Sequence, residues 1–130
     1  MKILMILAVL ASSVFITGCN GILGDSVSGV WRGKVLDERS VHYIEMELKE
    51  RRGKITGTMS ILKGRNDTLW KTDTFPIIQS ERMNEKVKIL VDLDSGVSFE
   101  LSQDGDEMTG IVYEIAYKNQ PDKTTLQRLK

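Results

Sequence analysis

From Gly29 to the end of the chain, apolar residues recur at every second position, in runs broken by turn residues every 8–12 positions. Successive side chains of a strand point to opposite faces, so this period leaves little room for helix. Val41 to Glu50 shows it best: Ile44, Met46 and Leu48 share one face, and Glu45, Glu47 and Lys49 the other. Val30 to Leu36 places Trp31, Gly33 and Val35 together. Ile55 to Leu62 does the same for Ile55, Met59 and Ile61, with a gap at Gly57. Leu69 to Ile78 is less regular, and Pro76 within it predicts an edge or a bulge, because proline cannot donate to a ladder. Ser80 to Glu85 reads as a polar connection. Lys86 to Leu93 (Val87, Ile89, Val91), then Val97 to Leu101 around Phe99, Met108 to Tyr117 and Thr124 to Leu129 complete the series. In the Met108 run, Ile111, Tyr113, Ile115 and Tyr117 are in phase. Arg51-Arg52-Gly53-Lys54, Gly64-Arg65-Asn66-Asp67, Asp94-Ser95-Gly96, Gln103 to Glu107 and Asn119 to Asp122 have turn composition. The expectation is an all-β fold: about eight antiparallel strands in up-and-down order, closed into a small barrel. A two-sheet β-sandwich is the alternative.

The first 18 residues follow a different rule. Met1-Lys2 is positively charged, Ile3 to Ile16 is apolar apart from Ser12 and Ser13, and Gly18 is small. This is the layout of a secretory signal. An apolar run of about 14 residues falls short of the roughly 20 that a membrane-spanning helix needs. Its end, Ile16-Thr17-Gly18-Cys19, resembles the lipobox of bacterial lipoproteins, with isoleucine where leucine is commonest. The resemblance implies cleavage between Gly18 and Cys19, and acylation (a palmitate-type modification) of Cys19. Two or three acyl chains hold a protein at a membrane far more firmly than one. The family's sorting rule, applied to Asn20 after the cysteine, implies the outer membrane, with the periplasmic face as the default. The expected layout is a signal peptide over 1–18, a lipidated Cys19 with a short tether over 19–28, and a β domain over 29–130.

Charge and cysteine content narrow the function classes. Lys2 is the only charged residue of the leader, so its removal leaves 17 Lys and Arg against 18 Asp and Glu. Such a balance offers no basic field to recruit nucleic acid. Cys19 is the only cysteine. Once acylated, it leaves no thiol for a disulfide, a nucleophile or a zinc site.

Gly29-Val30-Trp31-Arg32-Gly33 on the first strand, and Arg128 on the last, resemble the pattern of calycins, the meander barrels that include lipocalins and avidins. Lys54-Ile55-Thr56-Gly57-Thr58 is similar to an avidin strand ending in Thr-Gly-Thr. The resemblance implies that Arg128 lies across the Trp31 indole and ties first strand to last. The lipocalin Thr-Asp-Tyr signature is absent, and Trp70 alone matches the tryptophan-rich avidin site, so the resemblance implies a fold and no ligand.

Chemistry-bearing residues are sparse. His42 is the only histidine and no partner for it is evident in sequence. Asp92 and Asp94, then Asp104, Asp106 and Glu107, could take calcium, but Asp-Gly and Asp-Ser-Gly are ordinary turn chemistry. Glu45 and Glu47 share a strand face, as solvated charges do. No phosphate loop, Ser–His–Asp set or Cys/His metal-ligand spacing occurs. The expectation is therefore no catalysis, no cofactor and no metal. It is a barrel that contacts an envelope protein through Arg51, Arg52, Arg65, Asn66, Leu69 and Trp70, since Trp and Arg are favoured interface anchors. The alternative is a carrier of a small apolar ligand inside the barrel, although bulky inward residues such as Ile44, Met59 and Phe99 would fill it.

Overall fold

The structure is a computed structural model that describes residues 26–65, 68–116 and 120–130. Eight strands follow in order: β1 (Gly29–Leu36), β2 (Val41–Arg51), β3 (Lys54–Arg65), β4 (Thr68–Met83), β5 (Lys86–Val91), β6 (Val97–Asp104), β7 (Glu107–Glu114) and β8 (Asp122–Arg128). Each pairs antiparallel with the next, and β8 pairs with β1, so the sheet closes into a barrel. The fold class is the expected barrel and not the sandwich.

The alternation explains the interior. Trp31 and Val35 of β1, Ile44, Met46 and Leu48 of β2, Ile89 and Val91 of β5, Phe99 and Leu101 of β6, Met108 and Val112 of β7 and Leu126 of β8 form one buried cluster. The outer face carries rows of charge, such as Arg32, Glu45, Glu47 and Lys88. A membrane-spanning barrel has the reverse polarity, with an apolar band outside. The walls are drawn tight where glycine allows it. A Cβ on Gly33 would lie 1.9 Å from the Thr125 carbonyl oxygen of β8.

Two strands differ from the sequence reading. Ser80 to Glu85 is not a connection: Ser80 to Met83 continue β4 and pair with β5, and only Asn84 and Glu85 turn. Polar residues there mislead because β4 alternates between rim and solvent. Pro76 makes the last pair of the β3–β4 ladder, opposite Thr58, with a bulge just after it in the β4–β5 ladder between Ile77 and Gln79. The end of one ladder and the bulge in the next accommodate it.

The up-and-down order gives the barrel two ends. The near end holds the two-residue turns at 52–53, 84–85 and 105–106, together with the chain's arrival at Ser26 and its C-terminus. The far end holds the longer connections 37–40 and 92–96, the end of β7 with the start of β8, and the end of β3 with the start of β4.

Candidate functional site

The near end is closed by the chain itself. Val27, assigned to the tether by sequence, is 0% exposed and belongs to the core. Its N–H donates to Glu50 Oε1 (2.9 Å), and its carbonyl accepts from the Trp31 indole N–H (2.8 Å). Glu50 Oε1 also takes Arg82 Nη1 at 2.6 Å. Arg82 Nη2 donates to Gln103 Oε1, and the Gln103 amide donates to the Ser26 carbonyl. The segment 26–28, assigned by sequence to a tether over 19–28, thus packs as part of the barrel. The apolar β-branched side chain at 27 wins, because burial returns more than a free linker does. Arg128 completes this end. Its guanidinium lies 4.5 Å from the Trp31 ring centroid, and it bonds Ser28 O (2.7 Å) and Asp106 Oδ1 (2.9 Å).

Another set of groups settles the far end. On the outer face, Arg32 of β1 holds Glu45 Oε1 at 2.7 Å, and Lys71 of β4 reaches over β3 to Glu45 Oε2 at 3.1 Å and to Glu47. Glu45, expected as a solvated charge, is 6% exposed beneath these two cations. Burial pushes its carboxyl up, but the hydrogen bonds from Arg32 and Lys71 outweigh that and leave it below its ordinary value. Lys71 is held above its ordinary value, first by Glu47 and then by Glu45. Ser60 and Thr74 bond between the same strands at 2.9 Å. This cluster pins the β3–β4 hairpin against β1 and β2.

Where β2 and β3 part beyond the Tyr43–Leu62 pair lies an open cleft of about 720 Å³. Val41 and Tyr43 form one wall, and Leu62 and Leu69 the other, with His42 and Lys63 at its rim. Leu69 can lie flat across the hairpin because Gly64 has no side chain: a Cβ there would be 2.3 Å from Leu69 Cδ2. Leu36 pairs with Val41 and extends the apolar surface, and Trp70 on the hairpin is 50% exposed. Sequence reasoning named Leu69 and Trp70 but missed Leu36, Val41 and Tyr43. Their signal was present, since apolar side chains occupy the outward phase of otherwise polar strands.

The six expected contact residues do not form one surface. Arg65, Leu69 and Trp70 belong to the far-end hairpin, and Asn66 lies outside the described residues. Arg51 and Arg52 are at the near end, one strand-length away along β3. They cannot share an interface with Trp70 on one small partner patch. Gly18 and Cys19 also lie outside the described residues.

The remaining titratable groups have local roles. His42 Nε2 is 3.1 Å from Ser40 Oγ and 3.6 Å from Asp37 Oδ2, all exposed. A catalytic triad engages both ring nitrogens, one by the nucleophile and one by the acid; here both contacts fall on the same nitrogen. The Arg39 backbone N–H lowers Asp37, aided by His42. Asp122 is raised, by burial and then by the charge of Asp37. Asp94 takes positive φ (56°) in its turn, and Asp106 holds Arg128 and Lys130. Among the described residues no cluster of three or more His, Cys, Asp or Glu could hold a metal ion. No family model matches this chain, and comparison with curated proteins finds no relative.

Proposed function

We propose that this protein is an outer-membrane lipoprotein, anchored by acyl chains on Cys19, whose barrel is a non-catalytic docking module for another envelope protein. One observation carries the reading. The apolar cleft of Val41, Tyr43, Leu62 and Leu69, with exposed Leu36 beside Val41, lies at the end of the barrel opposite the arrival of the chain. Six residues lie between Cys19 and Ser26, and the seven steps from one to the other reach about 25 Å at most. A short tether turns the near end, with Arg51 and Arg52, toward the bilayer, and presents the far end to the periplasm. Contiguous apolar surface on a rigid scaffold is what partner sites are made of. The packed interior supports docking over internal carriage, because Trp31, Met46, Phe99 and Met108 occupy the space a cargo would need. The Trp31–Arg128 contact supports kinship with calycins in fold.

Two experiments test the two halves. Cys19→Ser should leave the membrane fraction without detergent; its persistence there would refute the anchor. A photo-crosslinking residue at Tyr43 or Val41 should trap a specific envelope protein, and one at Arg52 should not. Equal capture from both ends would refute the far-end site.

A further inference from the structure

On another side of the barrel, β3 and β4 separate. Their ladder extends from Arg65–Thr68 only to Thr58–Pro76. Beyond it, Ile77 to Met83 pair with β5, and Lys54 to Gly57 pair with β2. The Ser80 hydroxyl spans the seam by accepting the Ile55 N–H at 2.9 Å. The bulge beside Pro76 drops Ile78 out of register and leaves it 53% exposed. A groove of about 800 Å³ opens here and continues over the outer faces of β5 to β7. That volume lies within the roughly 300–1,000 Å³ of small-molecule sites.

The groove has three kinds of lining. Ile78, Leu90, Tyr113 and Ile115 give an apolar floor, and Glu100 holds the Tyr113 hydroxyl at 2.6 Å. Ser98 pairs with Leu90 and Tyr113 in the ladder, on the face opposite Phe99. It is 2% exposed, and its hydroxyl has no hydrogen-bond partner among the described residues. Buried hydroxyls are normally partnered, so this one is open to a ligand atom. Arg52, Lys54 and Lys88 stand on the rim, none ion-paired among the described residues, and outnumber the two carboxylates beside them, Glu81 and Glu100, which flank Lys88 in the ladder. An uncharged chain would leave the cations unused. An extended peptide cannot add as a strand at the seam, because the Ser80–Ile55 bridge holds the two sides too close to admit one.

We infer that this outer groove binds a single-chain anionic amphiphile. Its alkyl chain covers the floor, its headgroup meets Arg52, Lys54 and Lys88, and an ester or hydroxyl oxygen near the head pairs with Ser98. The site is separate from the far-end cleft and from the barrel interior, and does not depend on the docking reading.

The test is methyl NMR of the full chain titrated with dodecyl phosphate below its aggregation threshold. Dodecylphosphocholine and inorganic phosphate serve as comparisons. Saturable shifts should fall on Ile78, Leu90 and Ile115. Binding should weaken about tenfold with dodecylphosphocholine, and about as much in the Arg52→Gln, Lys88→Gln double variant, whose sites are exposed and spare the fold. Inorganic phosphate alone should give no saturable shift. Equal affinity for both headgroups, shifts centred on Ile89 and Leu126 of the interior, or no saturable shift would overturn the inference. So would a photo-crosslinker at Ile115 that captures an envelope protein in place of lipid.

Discussion

Replacing Arg128 by methionine keeps the aliphatic stem and removes the guanidinium that locks the near end. Three interactions are lost together. The contact over the Trp31 ring, at 4.5 Å, contributes about 0.5–2 kcal/mol. The bond to Ser28 O, from a charged donor, contributes about 1.5–3 kcal/mol. Asp106 is half exposed, so solvent holds its pair to about 0–1 kcal/mol. Arg128→Met should therefore cost about 2–6 kcal/mol, a large part of the roughly 5–15 kcal/mol of a typical domain. Trp31→Phe removes the N–H bond to Val27 O and leaves a void, for about 2–4 kcal/mol. Because ring and cation touch, the double variant should cost less than the sum of the two by about 0.5–2 kcal/mol. Urea unfolding followed by far-UV circular dichroism measures all four corners, with an unchanged m-value as the control for denatured-state effects. Additivity within about 0.3 kcal/mol would refute the coupling. A loss below about 0.5 kcal/mol for Arg128→Met alone would refute the claim that this residue holds the end closed.

Other consequences can be checked with the same assay. Arg52 holds φ 55° in a two-residue turn with Gly53 at 79°, so Arg52→Asn, which tolerates that region, should stabilise by about 0.5–1 kcal/mol; a loss would refute the turn geometry. Glu45 titrates below its ordinary value of 4.5, so its contribution is complete above that pH and is lost as pH falls through the lower folded value. Glu45→Gln should accordingly flatten the loss of stability below pH 5, and an unaltered acid limb would argue against the Arg32–Glu45–Lys71 cluster. Gly33→Ala should cost about 3 kcal/mol or more, or prevent closure, because its methyl meets the Thr125 carbonyl; a near-native midpoint would show that β1 and β8 are less tightly drawn. Val27→Ser should cost about 2–3 kcal/mol in the same unfolding assay, whereas a residue in a free tether would change nothing.

Much of the barrel was legible because alternation is a local property. Ile44, Met46 and Leu48 point inward whatever their partners, and Gly53 marks a turn without reference to the rest of the chain. The strand count and the up-and-down order followed from turn spacing alone. The site was less legible. Leu69 and Trp70 stood out as apolar residues at a turn, but only Leu69 lines the cleft, and its other wall is Val41 and Tyr43, which meet Leu62 only through the β2–β3 register and the bulge after Ile61.

Other features were settled only in three dimensions. Arg51 and Trp70 read alike as interface anchors, but closure puts them at opposite ends. Glu45 looked solvated until Lys71, on a strand two places away, came to lie over it. Val27 looked like linker until the barrel offered it an end to plug. In each case the cause is the same. The period of two says which face a side chain takes, while register, bulge and shear decide which other side chains share that face. Those depend on pairings between residues far apart in the chain, so the alternation set the barrel and its interior, and closure set the ends, the buried charge and the grooves.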